Sequence, residues 1–364
     1  MSFIKKRTSY IFLIHSLRPG GAEKNCIKLA NEFVKRDNDV SIWLREFHQN
    51  DLRSNLSKDI SVVALGGRGF ISTSYYVVKK IFKTNPDSFL VFNYFLFAPV
   101  VFVKLLFKKQ YKINYRIMSS LPLQMKEQKS LYKKLLGTFI LKRLVPFSDS
   151  IIAQCEGMKN EASNFISIPS TRITTIYNPV SDFEYSSTPE KKHEILFIGR
   201  LIPLKGLFYL IDAFEILSKK DFKVTLLILG DGPMRASIQE KISYLNLEGR
   251  IILEGFKENP SHYYLQAKAT VLTSLYEGFP NVLIESICLG TPIVAFDCKT
   301  GPSEIIIEGV NGYLVPYLDV NKLAEKLFKI LHSDSFQTST VIETGKKFDL
   351  NLIARSYIEL CRPD

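Results

Sequence analysis

At 364 residues the chain is long for one domain and suits two α/β domains. A composition of 46% hydrophobic and 23% charged residues excludes bulk disorder, and five widely spaced cysteines exclude both a disulfide framework and a thiolate metal site. The net charge of +12 is uneven: residues 1–177 hold 28 Lys and Arg against 12 Asp and Glu, and residues 178–364 hold 20 against 24. A polyanionic partner is therefore expected on the first half.

In chain order, Lys5, Lys6 and Arg7 precede an apolar run too short for a signal segment, so the chain reads as cytoplasmic. Strands are expected at Tyr10–Ile14, Val40–Leu44, Ile60–Leu65, Phe89–Tyr94, Ile113–Met118, Ser150–Ala153 and Ile173–Tyr177. The apolar stretch from Phe89 to Val103 is interrupted by Asn93 and Pro99 and falls short of the roughly 20 residues a membrane span needs. It reads as a strand followed by a helix. Residues 101–150 carry eleven cations and two acids, interleaved with large apolar side chains in Val101–Lys109 and Leu131–Leu136. Helices of that pattern lie in an anionic membrane interface, so the protein is expected to touch a membrane without crossing it.

A polar stretch punctuated by Pro179 and Pro189 separates the halves. The expected division is 1–180 for a basic first domain, 181–192 for a linker, 193–345 for a second domain and 346–364 for a terminal helix. Strands of the second half are expected at Glu194–Ile198, Val224–Leu229, Ile251–Leu253, Ala269–Thr273 and Pro292–Phe296, each followed by a helical segment. The alternation predicts an α/β protein of two Rossmann-like, doubly wound parallel-sheet domains facing a central cleft, with ligands outside the carboxyl ends of the strands.

Four loops fall at such strand ends. Arg18-Pro19-Gly20-Gly21-Ala22-Glu23-Lys24 combines two glycines with a helix start, suiting close approach of an anion. Gly199-Arg200-Leu201-Ile202-Pro203-Leu204-Lys205-Gly206 carries a guanidinium and an ammonium able to clamp a pyrophosphate and stabilise it as it leaves. Glu277-Gly278-Phe279-Pro280-Asn281-Val282-Leu283-Ile284-Glu285 turns into a helix whose N-terminus faces a phosphate, with Glu285 placed for ribose hydroxyls and Glu277 for the sugar. Asp297-Cys298-Lys299-Thr300-Gly301-Pro302-Ser303-Glu304, another turn into a helix, completes the pocket.

Together with Leu229-Gly230-Asp231-Gly232-Pro233 and Arg235, these motifs resemble the family 4 glycosyltransferases, from about Ile11 to Leu331. The resemblance implies a GT-B fold and a retaining enzyme of bacterial surface-polysaccharide (O-antigen or capsule) assembly. It implies that Arg200 and Lys205 hold the donor diphosphate, Glu285 the ribose and Glu277 the transferred sugar. It further implies that the segment from about Phe348 to Cys361 crosses back onto the first domain. Expected catalytic residues are Glu277, Arg200 and Lys205; expected donor contacts are Gly20, Gly21, Gly199, Arg200, Lys205, Gly278, Phe279, Asn281, Val282 and Glu285.

Many members of that family carry a histidine after the strand matched by Phe89–Tyr94, where this chain has Asn93-Tyr94-Phe95. His15 and Arg116 are the acceptor-side candidates in its place. Asp37-Asn38-Asp39 spells a metal-binding triplet of other sugar transferases but falls at the wrong end of the sheet, so no metal or other cofactor is expected.

The expected reaction moves a sugar from a UDP-sugar to a glycan on a polyprenyl diphosphate, at the cytoplasmic face of the inner membrane, where the protein is expected to be peripheral. The leaving diphosphate oxygen takes the acceptor proton. Alternatives are a sugar-nucleotide epimerase or hydrolase of the same fold, and a non-catalytic polyanion-binding protein. No RNA-recognition motif is evident, so nucleic acid is not an expected partner.

Overall fold

The computed structural model describes residues 7–49, 51–67, 69–181, 190–333 and 335–363. The chain divides into two compact units: the first ends at Ser181 and resumes at Leu350, and the second ends at Asp349. Of the expected linker, residues 182–189 lie outside the described residues.

The first unit holds a seven-stranded sheet of β1 (Ser9–Ile14), β2 (Asp39–Leu44), β3 (Ser61–Ala64), β4 (Ser88–Val91), β5 (Lys112–Arg116), β6 (Ser150–Ala153) and β7 (Ile173–Thr175), in the order β3-β2-β1-β4-β5-β6-β7. Every pairing is parallel. Parallel strands covered by helices on both faces need apolar side chains on both sides, which is why β4 and β6 are buried along their whole length. The expected strand Phe89–Tyr94 ends earlier, at Val91. Asn93 accepts a hydrogen bond from the Phe95 N–H (2.9 Å) and caps the helix Tyr94–Phe107.

The helix Leu350–Cys361 belongs to this first unit. Its Ile353, Ala354, Tyr357, Ile358 and Cys361 form one stripe at helical spacing and join the core built by β1 and the helix Gly21–Lys35. The Ser88 hydroxyl donates to the Cys361 carbonyl (2.8 Å). Residues Lys346–Phe348 form a separate short turn in the second unit, so the helix begins four residues later than expected.

The second unit holds a six-stranded parallel sheet of β8 (Glu194–Ile198), β9 (Thr225–Leu229), β10 (Ile251–Gly255), β11 (Ala269–Leu272), β12 (Ile293–Phe296) and β13 (Gly312–Val315), in the order β10-β9-β8-β11-β12-β13. The last of these is absent from the sequence expectation. It is a four-residue strand beginning with glycine, too short to show a period.

In each sheet the order reverses beside the first strand, between β1 and β4 and between β8 and β11. Doubly wound sheets bind ligands at such switch points, outside the carboxyl ends of the strands. Asp37-Asn38-Asp39 lies at the opposite, amino end of β2, where Asp37 is exposed and pairs with Arg7 (3.4 Å).

Candidate active site

The switch point of the second unit carries two of the motif loops. From β8 the chain runs through Gly199 and Arg200 into a short turn at Pro203–Lys205; from β11 it runs through Ser274 to Glu277 and the helix Asn281–Cys288. The two loops are tied by backbone bonds, Leu275 N–H to Leu204 C=O (2.8 Å), and by the Thr273 hydroxyl donating to the Lys205 carbonyl (3.0 Å). Gly206 makes this approach possible: its φ is +61°, and a Cβ there would lie 2.1 Å from the Thr273 carbonyl oxygen.

The side chains then converge. Lys205 Nζ donates to Glu277 Oε1 at 2.5 Å, and Ser274 Oγ donates to the same oxygen at 2.6 Å. Both members of the ion pair are mostly buried, with Lys205 17% and Glu277 13% exposed, so the attraction is little screened by water. An ammonium has three donors and spends one here, leaving donors for a diphosphate oxygen. Arg200 is exposed and makes no ion pair among the described residues.

The loop after β12 closes over this pair. Thr300 Oγ1 donates to the Glu277 carbonyl, and Tyr276 and Lys299 form a parallel bridge. Gly301 (φ +95°) packs where a Cβ would lie 2.6 Å from Pro280 Cδ, so the turn Gly278–Asn281 is clamped from behind. Phe279 is buried and Val282 half-buried at the helix start. Cys298 is buried beside the pair; burial, followed by the Glu277 charge, pushes its thiol up to about 12, so it stays protonated.

Glu285 takes a separate partner, accepting a hydrogen bond from the Tyr264 hydroxyl (3.1 Å). Burial first, and then the Glu285 charge, push Tyr264 well above its ordinary value, so it remains a donor and holds the carboxylate in place. One oxygen of Glu285 is thereby fixed and the other is left for hydroxyl donors.

In the first unit, the ends of β1 and β4 open into a cavity of about 580 Å³. His15, Arg45, Asn93, Gln124, Gln128 and Lys133 are among its polar lining residues; Phe70, Tyr132 and Leu136 are among its apolar walls. Gly20 and Gly21 lie on the same β1 connection, where Gly20 is extended and precedes the helix Gly21–Lys35. Burial, reinforced by the Arg45 charge, holds His15 below its ordinary 6.5 against the opposing pull of Glu46. The unfolded chain therefore takes this proton first, and acidification below about pH 6.5 costs folding free energy. An NMR titration is expected to give His15 a midpoint below 6.5 and a neutral ring at pH 7; a midpoint above that value contradicts the reading.

Arg116 corrects the sequence expectation. It is wholly buried, donating from Nε to the Tyr357 hydroxyl (2.7 Å) and from Nη2 to Asn178 Oδ1 (2.6 Å), with its guanidinium over the Phe92 ring. The fold uses this cation internally, to anchor the terminal helix, and it cannot reach an acceptor from there.

Two family models match the chain, "Glycosyl transferases group 1" over residues 181–348 and "Glycosyltransferase Family 4" over residues 19–182. The chain belongs to the family 4 glycosyltransferases. It is 30% identical to an uncharacterized glycosyltransferase of Methanocaldococcus jannaschii over 66% of this chain and 63% of that protein. It is 27% identical to a Campylobacter jejuni GalNAc-alpha-(1->4)-GalNAc-alpha-(1->3)-diNAcBac-PP-undecaprenol alpha-1,4-N-acetyl-D-galactosaminyltransferase, over 96% of this chain and 97% of that one. The chain spans 31% of a Staphylococcus aureus poly(ribitol-phosphate) alpha-N-acetylglucosaminyltransferase, at 34% identity over 43% of its own length. The fold is that of the GT-B glycosyltransferases: the structure of Anabaena HepE with UDP superposes with a TM-score of 0.81 at 19% identity, covering 97% of this chain and 99% of that one.

For this glycosyltransferase the motifs located the loops but not all of their partners. Ser274, Tyr264 and Arg45 join these groups and were not foreseen. Ser274 stands three residues before Glu277, so proximity to the motif was the available signal; Tyr264 and Arg45 come from elements remote in sequence and left none.

Proposed function

We propose that the protein is a retaining, metal-independent glycosyltransferase that moves a sugar from a UDP-sugar to a glycan carried on a polyprenyl diphosphate. The observation that carries this reading is the Lys205–Glu277 pair at the β8/β11 switch point, with Arg200 on the same loop. Cations at that position balance the charge growing on the departing diphosphate, the task a metal performs in other designs. Glu277, neutralised by Lys205 and Ser274, offers a fixed carboxylate to the hydroxyls of the transferred sugar. Glu285, steadied by Tyr264, accepts from the ribose. Gly199, Gly278, Phe279, Asn281 and Val282 supply the backbone around the phosphates, and Gly20 and Gly21 line the first unit's loop. The departing diphosphate oxygen takes the acceptor proton in a same-face displacement.

The β1/β4 cavity is the proposed acceptor site, where neutral His15 accepts a hydrogen bond from a sugar hydroxyl. One of its walls is the helix Leu131–Phe139, whose Leu131, Tyr132, Leu135 and Phe139 are exposed beside exposed Lys133 and Lys134. No helix among the described residues is long and apolar enough to cross a membrane. An amphipathic helix of this kind instead lies in an anionic bilayer surface, each fully buried Leu or Phe adding about 1.5–3 kcal/mol. The protein then works peripherally on the cytoplasmic face of the inner membrane, and nucleic acid is not a partner. Sedimentation with anionic vesicles is expected to pull down the protein in a salt-sensitive way, and Leu131→Ser/Leu135→Ser/Phe139→Ser to lower the bound fraction severalfold. Equal binding by that variant removes this surface from the proposal.

Mass spectrometry after incubation with a panel of sugar nucleotides and polyprenyl-diphosphate glycans tests the reaction. An acceptor heavier by one sugar is expected, without added metal. Donor breakdown at the same rate without acceptor would instead mark a sugar-nucleotide hydrolase.

A further inference from the structure

The other end of β8 holds a second convergence of side chains. His193 precedes the strand, Asp221 follows the helix Leu207–Lys220, and His332 follows the helix Val320–Leu331. Residues far apart in the sequence thus meet at one point: Asp221 Oδ2 lies 2.5 Å from His193 Nε2 and 3.1 Å from His332 Nε2. The three candidate ligand atoms all fall within 4.8 Å of one another.

The surroundings hold the three groups in position. The other Asp221 oxygen accepts from the Lys223 N–H (2.9 Å), and the Asp221 carbonyl accepts from Arg250 (2.9 Å). His332 packs its ring 4.4 Å from that of Phe328, and the two imidazoles sit 5.6 Å apart. The Asp221 side chain is 7% exposed, whereas His193 and His332 are 31% and 46% exposed.

We propose that His193, Asp221 and His332 bind a divalent transition-metal cation that ties the start of β8 to the ends of the two flanking helices. Two neutral imidazoles and a carboxylate carry one negative charge and form a borderline donor set that prefers zinc, cobalt or nickel to magnesium or calcium. Tetrahedral bonds of about 2.0–2.2 Å set ligand atoms roughly 3.3–3.6 Å apart, so the 2.5 Å His193–Asp221 spacing opens by about 1 Å and the 3.1 Å His332–Asp221 spacing by less. Water takes the fourth position on the exposed side. The Lys223 N–H on the second carboxylate oxygen supplies the outer bond that orients a metal-ligating group.

The ion is a structural clamp with no part in sugar transfer. Five strand residues at about 3.3 Å each put it roughly 17 Å from the Gly199–Lys205 loop.

The test is titration of the chelator-stripped full chain with cobalt(II), read by the visible bands of a tetrahedral ion and by melting temperature. One equivalent is expected to bind, to be displaced by zinc and to raise the melting temperature. His193→Ala and His332→Ala should each weaken binding by more than the roughly 10–100-fold typical of losing an outer-shell partner. Both side chains are partly exposed, so the metal-free melting temperature of each variant checks that it still folds. His48→Ala, which removes an imidazole beside Glu46 in the first unit, should bind cobalt like the unaltered protein. The absence of a one-equivalent signal in the unaltered chain overturns the proposal, as does unchanged binding in both His193→Ala and His332→Ala.

Discussion

Replacing Lys205 by Ala is expected to lower turnover about 10²–10³-fold, the 2.7–4 kcal/mol typical of removing one preorganised donor from a developing negative charge. Two losses combine in this variant. The departing diphosphate loses a cation, and Glu277 keeps a mostly buried carboxylate still bonded to the Ser274 hydroxyl. Arginine is not a substitute, because its planar head is longer than the compact ammonium that meets Glu277 at 2.5 Å. Steady-state transfer kinetics, with melting temperature as the control for folding, decide the matter. A turnover within tenfold of the unaltered enzyme removes Lys205 from the reaction.

Arg116→Ala is expected to destabilise the first unit by about 3 kcal/mol or more. It empties a large buried volume, takes the Arg116 donor from the buried Tyr357 hydroxyl at a cost of roughly 1–3 kcal/mol, and removes the bond to Asn178 Oδ1. The helix Leu350–Cys361 loses an anchor and should become the first site of proteolytic cleavage. Denaturant unfolding measures the effect. A variant of full stability that has lost transfer would return Arg116 to the acceptor site, against the geometry.

Much of the fold was legible because parallel strands buried on both faces read as unbroken apolar runs. Glu194–Ile198 and Ser150–Ala153 match their expected bounds for that reason. Strand β13 was missed because Gly312-Tyr313-Leu314-Val315 is too short to carry a period, and its pairing with β12 is decided by tertiary contact. The two loops that meet at the β8/β11 switch point were legible because each is a run of adjacent motif residues. Arg116 was misread because position alone, at the end of a strand in a basic region, does not reveal that Tyr357 returns from 241 residues away to bond it. The metal-ligand cluster left no trace either, since His193, Asp221 and His332 share no local spacing.

Calorimetric titration of UDP into the full chain and into Arg200→Ala/Lys205→Ala tests the central claim most directly. The account predicts one site per chain in the unaltered protein and a loss of affinity of on the order of 100-fold in the double variant, equivalent to about 2.7 kcal/mol. Equal affinity in the two proteins would mean that these cations do not hold the diphosphate, and the proposed donor site would be wrong.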